Sequence, residues 1–253
     1  LSPSSGYVDD TVTVYGSGFT AGSVSIYFDT TSVATVTADA SGSFTTATFT
    51  VPENERGSHT VKGRDTTGYS PDVSFTILSK ITVTPASGAV GDQVTVSGNG
   101  FAANKNVTFF WDNTTLTAEA DRTNSNGSFT NNTFTIPSTS RGSHTIKAQD
   151  ASGNSATATF TVGQKIAITP TSGASGTTVT VTGTGFIGNR AITIEYNGVP
   201  VTTTPASVST DANGAFTARF NVPAGLAGTY PVEATDGTYS YSTNFTATAA
   251  ATI

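Results

Sequence analysis

Four short phrases recur three times along the 253-residue chain, always in the same order. A P-x-S-G phrase is followed by G-x-G-F, then by [DN]-x-x-G-x-F, and then by a [VI]-P pair. The prolines that open the first phrase are Pro3, Pro85 and Pro170. Self-similarity at a fixed period indicates tandem copies of one structural unit. The pattern predicts three domains, residues 1–79, 80–164 and 165–253, which are named repeats 1, 2 and 3.

Each repeat has the pattern of short β-strands. The segments TVTVYG, QVTVSG and TVTVTG alternate apolar and polar residues, as strands with one buried face do. Gly, Asn, Asp, Ser and Pro separate about seven such segments in each repeat, which favours an antiparallel two-sheet immunoglobulin-like sandwich of about 80–100 residues. The joints at Leu78–Lys80 and Gly163–Lys165 are short. We therefore expect an all-β chain of three tandem sandwiches that form an elongated, semi-rigid rod.

Composition excludes several classes of function. The chain has no cysteine, which removes disulfides, thiolate catalysis and Cys-ligated zinc. Charged residues make up 11% and the net charge is −6, which argues against nucleic acid as a partner. No apolar run is long enough to span a bilayer, so direct membrane insertion of this segment is not expected.

The two histidines are copies rather than a functional pair. The phrase RGSHT places His59 and His144 at the same position of repeats 1 and 2, and repeat 3 has Tyr230 there. No Ser/His/acid set recurs, so we expect no catalytic residue, metal site or cofactor. One alternative remains open, namely that Asp9–Asp10 and oxygens from a domain joint bind calcium.

The G-x-G-F phrases do not fit a phosphate-binding loop, because no helix follows them. We interpret their glycines as a bend at a strand end. The phenylalanines that follow, Phe19, Phe101 and Phe186, are expected in the core.

Aromatic residues on one strand are candidates for surface recognition. Trp111 falls on the face of Val107 and Phe109, which predicts a buried core position. Tyr27 and Phe110 fall on the opposite face and are expected in solvent, with Glu195 at the equivalent position of repeat 3. These side chains are candidates for contact with a glycan or with a neighbouring domain.

Repeat 3 departs from the other two. It contains the insertion VPVTTTPASVST and has Pro231 in a predicted strand. Proline cannot donate to a sheet ladder, so we expect that strand to be an edge strand or to be bulged there.

The two ends of the sequence look complementary. Leu1 aligns with Val83, so repeat 1 has no counterparts of Ile81 and Thr82. Past Phe245 the chain runs on to Ala251, Thr252 and Ile253, where a further first strand would begin. One interpretation is strand donation by these three residues to another copy, giving self-association. The other is that a longer array was divided at these points.

The phrase order resembles the IPT/TIG-like immunoglobulin-like repeats of prokaryotic cell-surface and secreted proteins. Repeat 2 carries the full pattern, which consists of Ile81, Val83, Pro85, Ser87, Gly88, Gly91, Val94, Val96, Gly98, Gly100 and Phe101. The resemblance implies a surface-layer, adhesin or spacer array, sometimes attached to a separate catalytic domain.

On these grounds the sequence predicts a non-enzymatic extracellular or cell-surface structural protein of a prokaryote, a repeat rod in a surface layer, filament or adhesin. The alternative is a spacer or glycan-binding region of a secreted polysaccharide-active enzyme, with cell-surface glycan as the partner.

Overall fold

A computed structural model describes residues 1–116 and 121–249, and secondary structure in these ranges consists of strands, turns and bends. The chain packs as two compact units. One comprises Leu1–Val83, Thr95–Thr133 and Thr145–Ala158, and the other comprises Thr84–Val94, Phe134–His144 and Thr159–Ile253. The elongated arrangement of the repeats stays a prediction.

Repeat 1 is built from two sheets. Its strands are β1 (Ser5–Gly6), β2 (Thr11–Gly16), β3 (Gly22–Phe28), β4 (Thr31–Ala38), β5 (Phe44–Thr50), β6 (Gly57–Arg64) and β7 (Val73–Ile77). One sheet has the order β1-β7-β6-β3-β4, and the other pairs β2 with β5.

Repeat 2 follows the same plan. Its strands are β8 (Lys80–Thr84), β9 (Ser87–Ala89), β10 (Gln93–Asn99), β11 (Asn106–Trp111), β12 (Thr114–Thr115), β13 (Asp121–Arg122), β14 (Phe129–Thr135), β15 (Gly142–Asp150) and β16 (Ser155–Gly163). The two sheets have the orders β14-β10-β8 and β12-β11-β15-β16-β9, with β13 paired to β11.

Repeat 3 also follows this plan and has short strands within its insertion. Its strands are β17 (Lys165–Thr169), β18 (Ser172–Gly173), β19 (Thr178–Thr184), β20 (Ala191–Tyr196), β21 (Val199–Pro200), β22 (Thr203–Thr204), β23 (Val208–Ser209), β24 (Phe216–Asn221), β25 (Gly228–Thr235) and β26 (Ser240–Ala247). The sheets have the orders β17-β19-β24-β22 and β18-β26-β25-β20-β21, with β23 paired to β20.

Alternation of apolar residues along the strands builds the cores. On β11, Val107, Phe109 and Trp111 are buried, whereas the residues between them are not. The same alternation occurs on β3 and β20. Trp111 is only 5% exposed, so its predicted core position is confirmed. Two-sheet sandwiches keep one face of each strand on the core, which is why a period of two predicts them.

The phenylalanines of the G-x-G-F phrases close the core at one end. Phe101 and Phe186 are fully buried, as predicted. The glycine before this bend has to be a glycine, because a Cβ at Gly183 would lie 2.0 Å from the ring of Phe216. Aromatic rings thus occupy the space that a side chain would need.

The prediction for Phe19 is wrong in part, since its side chain packs against the core of repeat 1 but is only half-buried. In repeat 3, Ile166 pairs directly with Gly183 and is 5% exposed, so it covers the core beside the glycine. In repeat 1, an isolated bridge between Ser2 and Thr13 joins β2 on that side.

The prediction for Pro231 is also wrong. Its strand, β25, is central and pairs with β20 and β26 without a register shift. The carbonyl oxygen of Pro231 accepts from the N–H of Asn197, in the turn just beyond β20. The backbone nitrogen and carbonyl of a strand residue point to the same side of the strand. The nitrogen of Pro231 therefore points toward the turn that follows β20, where β20 has no residue to pair with it. No ladder bond is lost there.

Candidate functional site: the joints between repeats

A backbone hydrogen bond links repeat 1 to repeat 2. The N–H of Arg56, in the loop after β5, donates to the carbonyl oxygen of Phe101 over 3.0 Å. Beside it the N–H of Ala103 donates to Oε2 of Glu55, also over 3.0 Å. Two bonds from adjacent residues restrain rotation as well as separation, so this joint is a packed contact rather than a free linker.

The chain segment between the two repeats is also held in place. Ser79 is buried, and its hydroxyl donates to the carbonyl oxygen of Gly100 over 2.6 Å. Gly100 has φ of 66°, and a Cβ there would lie 2.4 Å from the carbonyl oxygen of Leu78. Both the conformation and the close approach require glycine. The second glycine of G-x-G-F therefore belongs to the joint as well as to the strand end.

The joint between repeats 2 and 3 repeats the same backbone bond. The N–H of Arg141 donates to the carbonyl oxygen of Phe186 over 3.1 Å. The Arg141 guanidinium donates to Oε1 of Gln164 and stacks 3.7 Å from the ring centroid of Tyr239. Gln164 in turn donates to the carbonyl oxygen of Ser240 over 2.8 Å. The second joint therefore adds cation–π and amide contacts to the shared bond.

An aspartate in each repeat fixes the loop that follows the G-x-G-F phrase. Its carboxylate caps its own turn and in addition accepts the N–H of the residue after the G-x-G-F phenylalanine. The three pairs are Thr20 with Asp65 at 2.7 Å, Ala102 with Asp150 at 2.8 Å and Ile187 with Asp236 at 3.1 Å. This second bond spans more than 40 residues and ties the loop to the opposite sheet.

Hydrogen bonds lower the pKa of two of these aspartates. The N–H of Thr20, followed by the hydroxyl and N–H of Thr67, lowers the pKa of Asp65 far below its usual range. Burial raises the pKa of Asp236, but the N–H groups of Tyr239, Thr238 and Ile187 outweigh it, and the net shift is downward. Hydrogen bonds to the charged form favour ionisation.

Comparison with known families agrees with this architecture. The model of the IPT/TIG domain matches three times, over residues 1–77, 79–162 and 166–249. The chain belongs to the IPT/TIG domain family. The three TIG repeats confirm the predicted family and the immunoglobulin-like fold class. The matched segments do not test the boundaries at residues 79 and 164, which stay predictions.

Several solved structures are similar to the chain. They include the Yersinia pseudotuberculosis adhesin InvE, at 18% identity over 67% of this chain, with a TM-score of 0.32. The Bacteroides ovatus mixed-linkage glucan utilization protein SGBP-B matches at 13% identity over 97%, with a TM-score of 0.32. Invasin, a bacterial integrin-binding protein, matches at 15% identity over 96%, with a TM-score of 0.27.

The TIG chain spans 58% of InvE, 66% of SGBP-B and 58% of invasin. Identities this low do not transfer a function. No protein among curated sequences matches it.

The first TIG histidine contacts an oxygen acceptor with each ring nitrogen. Nδ1 of His59 lies 2.8 Å from Oδ2 of Asp29, and Nε2 lies 2.9 Å from the carbonyl oxygen of Glu55. Both ring nitrogens face oxygen acceptors, an arrangement that the imidazolium form satisfies fully. Asp29 also accepts the N–H of Thr60 over 2.9 Å. The ring thus holds the joint loop, through Glu55, against the sheet.

The third TIG repeat replaces this arrangement as a set. Tyr230 stands for the histidine, and its hydroxyl donates to the carbonyl oxygen of Leu226 over 3.1 Å, again four residues earlier. Asn197 stands for the aspartate, and Pro231 stands for the threonine whose N–H the aspartate accepts. A tyrosine hydroxyl can make the same loop contact, which supports a structural role for the histidines.

The outward aromatics of the first two TIG repeats are half-buried, not fully solvent-exposed as expected. The ring of Tyr27 packs edge-on to Tyr69, with centroids 5.6 Å apart. The ammonium of Lys147 lies 4.3 Å from the ring centroid of Phe110. Glu195 is half-buried at the equivalent position. Neighbouring long side chains cover these rings, and the three residues stay candidates for surface contact.

The far end of the third TIG repeat differs from the two joints. Ala227 stands where the other repeats have Arg56 and Arg141. Beside it Leu226 is 83% exposed and borders a cleft of about 300 Å³ that Tyr196 and Tyr230 also line. This end has no counterpart of Arg141, whose guanidinium contacts Gln164 and Tyr239 at the second joint.

An apolar groove runs along β2 of the first TIG repeat. It has a volume of about 250 Å³, and its lining includes Leu1, Val14, Gly16, Phe19, Phe44 and Val73. It lies where β17 covers β19 in the third repeat. The candidate donor residues Ala251, Thr252 and Ile253 lie outside the described residues, so donation stays a prediction.

Two general features of the described residues bear on function. In the ranges 1–116 and 121–249, no three His, Cys, Asp or Glu side chains cluster as metal ligands do. The same part of the chain contains no helix long and apolar enough to cross a membrane.

Sequence reasoning missed the joint role of Glu55 and Arg56. The one available signal was the pair Glu-Arg or Ser-Arg before the shared glycine, which becomes Leu-Ala in repeat 3.

Proposed function

We propose that this chain is a non-enzymatic structural segment of a prokaryotic cell-surface or extracellular protein. Its TIG repeats space other parts of a surface layer, filament or adhesin. The observation that carries the proposal is the recurrence of the joint. Arg56 with Phe101, and Arg141 with Phe186, make the same backbone bond between successive repeats. A spacer needs each domain to be fixed to the next, and a repeated bond at each joint serves that purpose.

The experiment tests whether the joints hold the repeats in fixed orientation. The chain has no cysteine, so two introduced cysteines in repeats 1 and 2 can carry dyes for single-molecule energy transfer. A narrow distance distribution is expected for the parent chain. Gly100→Ala broadens it, because the new Cβ meets the carbonyl oxygen of Leu78.

Gly153→Ala is the matched control. Gly153 also has positive φ, at 91°, but a Cβ there meets no atom within 4 Å. Gly153→Ala therefore places a side chain at positive φ, as Gly100→Ala does, but its Cβ makes no close contact at the joint. A broad distribution in the parent chain, or equal broadening in both variants, contradicts the spacer proposal.

A second candidate, glycan binding, has one observation in its favour. Tyr69 is 54% exposed, packs against Tyr27, and lies close to Lys62 and Arg64. Exposed aromatic rings are common platforms for planar ligands. Binding of the intact chain to a glycan array, abolished by Tyr69→Ala and retained by Tyr239→Ala, favours this candidate. No binding on the array leaves the spacer as the better account.

Self-association by strand addition to β2 is a further part of the proposal. The donor is the segment Ala251–Ile253 of a second copy, and the acceptor is the apolar groove beside β2. Thr13 exchanges both backbone bonds with Ser2, so alternation places the N–H of Tyr15 on the same open side. Added strands pair with such free backbone groups.

Sedimentation at high concentration tests this association. Deleting Thr248–Ile253, or substituting Tyr15→Pro, is expected to abolish larger species. Tyr15→Phe keeps the N–H and serves as the control. A monomeric parent chain, or assemblies that survive both changes, contradicts strand addition without affecting the spacer proposal.

A further inference from the structure

A cleft of about 240 Å³ lies at the joint between repeats 1 and 2, and oxygen-bearing side chains line it. Repeat 1 contributes Asp9, from the turn before β2, and Glu53, from the loop after β5. Repeat 2 contributes Asn99, at the end of β10, and Ser128, just before β14. The lining thus combines two carboxylates with an amide and a hydroxyl, and each repeat supplies part of it.

Two of these oxygens are buried without a partner. In the described part of the chain, Oδ1 of Asn99 and Oγ of Ser128 have almost no exposed surface and make no hydrogen bond. Ser128 as a whole is only 8% exposed. Buried polar atoms in folded proteins are nearly always satisfied, so a pair of unsatisfied oxygens in one cleft points to a missing positive or donor group.

The two carboxylates are held near these oxygens by local structure. The N–H of Asp9 donates to the carbonyl oxygen of Val51 over 3.0 Å, which places Asp9 beside the loop that carries Glu53. Oε1 of Glu53 lies 3.4 Å from Nδ2 of Asn124, in the turn that ends at Ser128.

One cation of the chain also lines the cleft and weakens its negative charge. The ammonium of Lys80 lies 5.3 Å from the ring centroid of Tyr7. Two carboxylates and one ammonium leave a net charge of about −1. A divalent ion therefore still gains from the site, but less than in a cage of three or four carboxylates.

The second joint provides an internal comparison, because the repeats align residue by residue. The four positions are occupied there by Gly91, Ser138, Thr184 and Ala215. Both carboxylates and the amide are absent. The second joint instead pairs Lys165, the counterpart of Lys80, with Asp92 over 3.0 Å. The oxygen set is thus a property of the first joint and does not follow from the TIG fold.

We propose that the first joint binds a calcium ion through Asp9 and Glu53 of one repeat and Asn99 and Ser128 of the next. Calcium takes six to eight oxygen ligands, neutral as well as charged, and water completes an incomplete set. The absence of histidine and cysteine from this lining makes it unsuited to zinc. An ion held from both sides stiffens this joint alone, so calcium regulates one of the two joints.

Calorimetric titration of the intact chain with calcium chloride tests the proposal. One site per chain is expected, with a dissociation constant of about 10⁻⁴–10⁻³ M, the range of extracellular calcium modules. The double variant Asp9→Asn with Glu53→Gln keeps side-chain volume and is expected to bind at least about tenfold more weakly. Asp72→Asn with Glu233→Gln removes the same charge elsewhere and is expected to bind like the parent.

Transfer of the four residues to the second joint tests whether the double variant loses calcium binding directly or through a change in structure. Gly91→Asp, Ser138→Glu, Thr184→Asn and Ala215→Ser rebuild the oxygen set at the second joint. Gly91 has φ of 87° and Asp9 has φ of 70°, so the backbone accepts aspartate there. Two calcium ions per chain are then expected. Absence of calcium binding by the parent chain, or unchanged binding by the double variant, overturns the proposal.

Discussion

Nε2 of His59 lies 2.9 Å from the carbonyl oxygen of Glu55, four residues earlier in the chain. His144 makes the same contact with Ser140 over 2.9 Å, and the hydroxyl of Tyr230 reaches Leu226 over 3.1 Å. Two chemically different side chains thus hold the loop between β-strands in the same place. The shared requirement is a donor at a fixed reach, not an imidazole.

His59→Ala is expected to lower the free energy of unfolding of repeat 1 by about 1–3 kcal/mol, because Asp29 and the Glu55 carbonyl lose a partner. His59→Tyr is expected to lose less than half of that amount, since the hydroxyl still reaches the carbonyl. Denaturant unfolding of both variants measures the difference. Equal losses in the two variants contradict the shared loop contact.

Truncation of the G-x-G-F phenylalanine is expected to have different costs in different repeats. Phe101 is fully buried, so Phe101→Ala is expected to cost about 3–5 kcal/mol. Phe19 is half-buried and borders the open groove, so Phe19→Ala is expected to cost about half as much. Chemical denaturation followed by tyrosine and tryptophan fluorescence compares them. A loss for Phe19→Ala that equals or exceeds the loss for Phe101→Ala contradicts the half-buried position of Phe19.

Glu55→Ala is expected to expose the N–H of Ala103 to exchange, because that N–H donates to the Glu55 carboxylate at the first joint. Hydrogen exchange at Ala103 is expected to rise about tenfold, the equivalent of one net hydrogen bond of about 1.4 kcal/mol. Glu55→Gln keeps an acceptor and is expected to stay near the parent rate. Glu233→Ala, remote from the joint, serves as the control for charge.

Acid is expected to destabilise repeat 1 through Asp65. The pKa of Asp65 is lowered in the folded chain, so the unfolded chain takes up the proton at higher pH. This contribution to stability is fully present above the ordinary pKa of about 4 and is lost as pH falls toward the lowered value. Denaturant unfolding between pH 6 and pH 2 is expected to show a smaller pH dependence in Asp65→Asn. Asp72→Asn retains Asp65 and is expected to keep the parent slope in that window.

The sequence by itself determined the number of repeats, the strand character and most of the core. These follow from local rules, because a period of two assigns each side chain to one face of a sheet and turn glycines mark where strands end. Trp111 and Phe101 were assigned correctly on that basis. The family pattern depends on the same glycines and apolar residues, so it too is readable without a structure.

Only the tertiary structure decided how the repeats meet and which polar groups come together. Asp29 and His59 are 30 residues apart, and Asp65 and Thr20 are 45 apart, so no local pattern connects them. Pro231 was misjudged because its tolerance depends on where the neighbouring strand ends, which is a matter of register. Phe19 is less buried than Phe101 and Phe186, and the shared G-x-G-F phrase does not distinguish the three positions. The oxygens at the first joint come from two domains, and only packing brings such residues into one cleft.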